Sequence, residues 1–117
     1  MNNSVKSLLC KYNMREFILK RLELGKTKYG HGVRVDMDTV TWGTPKNSWL
    51  EMAIEEYVDA IIYVVADYIR KFETSVRPDD NERILELACN PDYMLSDFHT
   101  MSIKTITNLI YMSIHRE

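Results

Sequence analysis

The sequence predicts an all-α fold, a bundle of about four helices. Apolar residues recur at helical spacing in four segments, residues that start and stop helices stand between them, and alternation of the strand type is confined to Val33–Met37. At 117 residues the chain fits one domain. A domain of that size buries only about 60% or somewhat more of its unfolded surface, so a core completed by a homo-oligomer, dimer or tetramer, is expected.

The first helix is expected from about Asn13 to Leu24. Asn13 suits the N-cap, Phe17, Ile18, Leu22 and Leu24 form the apolar positions, and Gly25 suits the stop. Lys26 to Lys46 holds Gly30, Gly32, Gly43 and Pro45 and reads as an ordered loop, with Val33–Met37 as the one stretch that suits a small hairpin. Loops of this length are usually functional. The second helix starts at Asn47 or Ser48 and runs to about Phe72, with Glu51 at the N3 position of a Ser48 capping box. The third is expected from Pro78 or Asp79 to Ala88, because Pro suits a first helical position and Asp79, Asp80 and Glu82 favour the positive end of the helix dipole. The fourth runs from Ser96 or Asp97 to about His115 on Phe98, Met101, Ile103, Ile106, Leu109, Ile110, Met112 and Ile114.

Composition excludes several classes of function. The 45% apolar and 27% charged content is that of a globular chain. A net charge of −2 without a basic run gives no nucleic-acid footprint. Cys10 and Cys89 have no spacing relation to each other or to His31, His99 or His115, which argues against zinc and for two reduced cysteines. No signal-type apolar segment or membrane-length run is present, so a cytoplasmic protein is expected.

The chemistry concentrates in Trp49–Tyr63. With Glu51 at zero on a helical wheel, Glu55 falls at about 40°, Asp59 at about 80°, Glu56 at about 140° and Asp67 at about 160°. All five share half of the helix. The ordinary alternative is a solvated face of an amphipathic helix. Against it, Ile62, Met52 and Tyr63 sit among the carboxylates, and no basic residue lies between Glu51 and Asp67. The stacked pairs 51/55 and 55/59 each cost on the order of 0.2–0.5 kcal/mol. A divalent cation held by oxygen ligands compensates such a cluster, and an all-oxygen set points to Mg²⁺, or else Mn²⁺. Ions of this kind serve phosphoryl chemistry.

Glu55-Glu56-Tyr57-Val58-Asp59, in an apolar helix after a loop, resembles the EExxD element of MazG-like pyrophosphohydrolases. Arg21-Leu22-Glu23-Leu24-Gly25-Lys26-Thr27-Lys28-Tyr29-Gly30 is similar to the R-x-x-LG-x-x-KYG pattern of their small phage-type branch, often described as dATP/dGTP diphosphohydrolases. The resemblance spans residues 15 to 71. It implies a helical core shared between subunits, Mg²⁺, and hydrolysis of a (deoxy)nucleoside triphosphate to monophosphate and pyrophosphate. By position Glu56 and Asp59 match the paired metal ligands, and Glu55 precedes them as ligand or supporting group. The larger family also has an ExxE pair on the preceding helix. Here Glu16 and Glu23 are seven apart on one face, with Glu16, like Glu51, a candidate helper.

Around this core Arg21, Lys26, Lys28, Tyr29, Tyr63 and Asp67 are candidate substrate contacts, with Arg21 as a forked phosphate clamp and the lysines as point charges. The cations equally suit a helix end, and Arg21 equally suits pairing with Glu16 or Glu23. Gly25-Lys26-Thr27 fails as a Walker A end because position 20 is Lys20. Trp42 and Trp49 suit a base-stacking surface, core packing or a subunit contact. A non-catalytic helical protein that binds a nucleotide or a protein partner is the rival expectation.

Overall fold

The computed structural model describes residues 3–116, with side chains from Asn13 onward. Four α-helices, α1 (Asn3–Tyr29), α2 (Trp49–Phe72), α3 (Asn81–Cys89) and α4 (Asp97–Ile114), are joined through 3₁₀ turns at Thr39–Trp42 and Pro91–Tyr93. No strand occurs among the described residues, so the fold is all-α. Contacts divide the chain into two compact units, one ending at Met37 and the other beginning at Asp38.

In the first unit α1 is longer than expected. It starts well before Asn13 and runs through Gly25 to Tyr29. Gly inside a helix costs only about 0.5–1 kcal/mol relative to Ala, and continuing the helix keeps each peptide in its hydrogen-bonded ladder. The chain leaves the helix at Gly30, whose φ of 81° is open to glycine at no steric cost and whose N–H donates to Lys26 O at 2.9 Å. Phe17, Ile18, Leu22 and Leu24 of α1 are exposed. Val33–Met37 forms a turn, with Met37 N donating to Arg34 O, and not a hairpin.

The second unit opens with a tightly bonded loop. Asp38 caps the first 3₁₀ turn by accepting from Val40 N at 2.9 Å, and Gly43 closes it with a φ of 99°. Thr39 is buried and organises the rest. Its N–H donates to Asn47 Oδ1 at 3.0 Å, and its hydroxyl lies 2.8 Å from that of Thr44 and accepts from Ser48 N at 2.8 Å. Ser48 then caps α2 by accepting from Glu51 N at 3.2 Å. The expected capping box is only half formed. Ser48 N is taken by Thr39, and Glu51 reaches past it to accept from Lys46 N at 2.8 Å.

The core lies on the C-terminal half of α2. Val65, Tyr68 and Ile69 pack with Leu87 of α3, Met94 of the second turn and Ile103 of α4, with Ile61, Val64, Ile84 and Ala88 around them. The start of α4 meets the end of α2 through His99 and Asp67, and Ile114 at the end of α4 lies beside Ile54 near the start of α2. The two helices are therefore antiparallel. Tyr68 keeps its polar end satisfied by accepting from Leu95 N at 3.0 Å.

The third helix starts later than its proline suggests. Pro78 and Asp79 precede it, and Asp80 is the N-cap. Asp79 Oδ1 accepts from Asn81 N at 3.0 Å, while Ser75 Oγ and Arg77 Nε both donate to Asp80 Oδ1. These bonds hold residues 75–80 as a turn, and the first helical bond runs from Ile84 N to Asp80 O. Arg83 fixes α3 to the end of α2 by donating to both oxygens of Glu73.

Leu87 is fully buried. Leu87→Ala is expected to lower unfolding free energy by about 2–5 kcal/mol, read from urea titration. Val76→Ala, at a residue 91% exposed, is expected to stay within about 0.5 kcal/mol of the parent.

Candidate functional site

The acidic start of α2 emerges from the bonded loop 38–48, so its first turn is fixed. The four acids there differ in surroundings. Glu51 is partly buried and holds Lys46 N, which commits one of its oxygens to the loop. Glu55 is exposed and lines a cleft of about 330 Å³ with Pro45, Lys46, Glu51, Ile54 and Ile114. Glu56 is exposed and Asp59 partly buried, and neither lines that cleft. Glu55, Glu56 and Asp59 make no hydrogen bond or ion pair among the described residues.

A divalent cation was the expected compensation for these charges. The donor set fits a hard ion, being all carboxylate oxygen. Among the described residues no three His, Cys, Asp or Glu side chains come together on one point. What remains are neighbouring pairs on the helix surface, Glu55 with Asp59 four residues apart and Glu56 with Asp59 three apart, the latter being the pair the EExxD resemblance matches. Such a pair suits Mg²⁺ only where water and substrate oxygens complete its octahedron.

Asp67, a candidate substrate contact, has protein partners. Its Oδ2 lies 2.7 Å from His99 Nε2 and 3.1 Å from Lys71 Nζ. The His99 ring is buried, and its Nδ1 lies 2.6 Å from Ser96 Oγ. A carboxylate only accepts, so Nε2 carries the proton that reaches Asp67. Nδ1 shares a hydrogen bond with the Ser96 hydroxyl. Edge contacts from Tyr68, Phe72 and Phe98 surround the ring. The His99 bond, followed by that of Lys71, holds the Asp67 carboxyl below the ordinary aspartate range. Tyr63 is 68% exposed.

In the other unit Glu16, Arg21, Lys26, Lys28 and Tyr29 all lie on α1 and are exposed. Lys28 Nζ sits 5.4 Å from the centre of the Tyr29 ring, a cation–π contact. Arg21 and Lys28, seven apart, share a helix face. Trp42 and Trp49 meet edge to face at 5.5 Å, so each is a packing partner of the other.

The sequence reading missed the Ser96–His99–Asp67 chain and the Arg83–Glu73 clamp. Ser96-x-x-His99 at the head of an apolar helix was the one local signal, since a serine cap brings the residue three positions on beside its hydroxyl. Nothing local pairs His99 with an acid 32 positions away.

Asp67, Glu73 and Asp80 all have lowered carboxyl values, through His99, Arg83 and Ser75 respectively. A carboxyl lowered in the folded state contributes stability above its unfolded value, and loses it as pH falls through the folded one. The midpoint of urea unfolding is therefore expected to be flat above about pH 5 and to fall steadily below about pH 4. Asp67→Asn is expected to lower the neutral-pH midpoint and make the acid decline shallower.

No protein family, no curated protein and no solved structure matches the chain.

Proposed function

We propose that the chain is a Mg²⁺-dependent nucleoside triphosphate pyrophosphohydrolase that serves control of the nucleotide pool. The observation that carries this reading is the pair Glu56 and Asp59, adjacent on α2 and without a side-chain partner among the described residues. Like charges one turn apart repel unless a cation lies near. The EExxD spacing and the upstream Arg21–Gly30 pattern support the same reading.

A bound Mg²⁺ supplies neutralisation of phosphate charge and a more acidic water. It needs only one or two carboxylates from the protein when phosphate oxygens join it, so Glu56 and Asp59 suffice. Arg21, Lys26 and Lys28 are cations of the kind that hold phosphate oxygens. Glu16 is exposed on α1 and open to a helper role, whereas Glu51 serves the loop. Hydrolysis adds water across one phosphoanhydride bond: hydroxyl goes to one product, the proton to the other, and monophosphate and pyrophosphate separate. The second reading is a non-catalytic helical protein that binds a nucleotide or a protein partner, favoured by the missing ExxE pair on α1, where Glu16 and Glu23 are seven apart.

The reading includes a homo-oligomer. Phe98, Met101 and Met112 lie on one stripe of α4 and are 69%, 59% and 65% exposed, an apolar surface that a second copy of the chain covers. No helix among the described residues is long and apolar enough to cross a membrane.

Pyrophosphate release from a panel of dNTPs is expected with Mg²⁺ and not with EDTA. Asp59→Ala is expected to abolish release while leaving far-UV circular dichroism unchanged. A folded sample that releases no pyrophosphate from any of them overturns the enzymatic reading in favour of the second. Phe98→Glu combined with Met101→Glu is expected to lower the sedimentation mass to that of one chain.

A further inference from the structure

Ser96, His99 and Asp67 form a hydrogen-bonded series that the proposed hydrolysis does not use. Ser96 Oγ lies 2.6 Å from His99 Nδ1, and His99 Nε2 lies 2.7 Å from Asp67 Oδ2. Both separations are those that link a nucleophile to its base and the base to the group that orients it. Two helices build the series. The N-cap of α4 brings the serine beside the residue three positions on, and the antiparallel course of α2 brings the acid. The ring is held in place, being buried with Tyr68, Phe72 and Phe98 edge-on around it. Ser96 is only half-buried, its neighbour Leu95 is 86% exposed and Asp97 is exposed, so the hydroxyl is open to a small molecule from solvent.

We propose that Ser96 is a nucleophile toward the carbonyl carbon of small carboxylic esters, with His99 as its base and Asp67 as a positioning residue. None of the three belongs to the cation pair Glu56 and Asp59, so this activity is independent of the phosphoanhydride hydrolysis proposed above. With the ring neutral and its proton on the Asp67 side, Nδ1 is the nitrogen that can take the serine proton. The ring is turned relative to the usual order, in which Nε2 faces the serine. The chemistry needs only that the two nitrogens face different partners. Oγ bonds to the carbonyl carbon as its proton passes to Nδ1. The ester C–O bond then breaks, and the leaving alcohol takes that proton. Water repeats the two moves, its proton going to Nδ1 and its hydroxyl to the acyl carbon, and the released serine recovers the proton. Asp67 stays ionised beside the imidazolium, since Lys71 also lies 3.1 Å from its Oδ2. The first N–H groups of α4, on Asp97 and Phe98, have no partner inside the helix and are donors for the oxyanion. An alcohol leaves with less help than an amine, so the substrate is an ester and not a peptide.

The test is covalent labelling of the full chain by a fluorophosphonate probe, in which the Oγ–P bond forms, fluoride leaves and the proton passes to His99. Peptide mass spectrometry then locates the label, and p-nitrophenyl acetate hydrolysis is followed with EDTA present. The label is expected on Ser96 and on none of the other serines, with ester hydrolysis lost once it is attached. Ser96→Asp is expected to keep the helix cap, because aspartate is as good an N-cap as serine, and to lose both label and hydrolysis with helicity unchanged. A purely structural serine predicts no labelling at all. Asp67→Asn is expected to slow labelling by about a hundredfold or more, since the amide no longer holds the ring in the tautomer the base needs. A folded parent protein without label on Ser96, labelling spread equally over other serines, or ester hydrolysis that survives Ser96→Asp overturns the proposal. So does a folded Asp67→Asn protein that is labelled at the parent rate. Labelling of Ser96 in a protein that releases no pyrophosphate from any dNTP supports the proposal and counts against the pyrophosphohydrolase reading alone.

Discussion

The second unit depends on the burial of one half of one helix. Residues 60–66 of α2 are apolar, and Val65 and Ile69 supply the surface against which Leu87, Met94 and Ile103 close, while Ile62 and Tyr63 stay exposed. Without those partners the segment would expose its apolar side chains to water, and no helix propensity would compensate that loss. The antiparallel course of α4, the short α3 and the connecting turns all serve to cover it.

Polar contacts then fix how that cover sits. His99 is buried at the first turn of α4 and reaches Asp67, while Arg83 grips both oxygens of Glu73 just past the end of α2. Each joins two helices at one defined register, which apolar packing alone leaves loose. No buried side-chain nitrogen or oxygen among the described residues lacks a partner, so the specificity these bonds give carries no desolvation cost from an orphaned group.

The same arrangement separates stability from chemistry along α2. One face of its far half, Val65, Tyr68 and Ile69, is committed to the core. Its near half, held by the Thr39-centred loop, keeps three carboxylates without partners among the described residues. Adjacent like charges without partners repel one another, a repulsion that the cation proposed above would relieve. The exposed Phe98–Met112 stripe of α4 is a parallel case on the apolar side.

Helical periodicity, Ser48 and Ser96 as caps, and the run of apolar residues after Asp59 sufficed to read α2 and α4 to within a residue or so of their ends, because these are local properties of the chain. The acidic face was equally legible, since helix geometry alone sets which side chains share a side. Gly25 and Pro78 misled because each is a local preference worth little against the continued ladder of α1 and the bonds around Asp80. Only the tertiary structure decided that Glu51 turns to Lys46, that Asp67 belongs to His99, and that Glu55 lines a cleft with Ile114. Those contacts join residues up to about sixty positions apart. Pairing at such separations follows from how packed helices meet, which no window of neighbouring residues encodes.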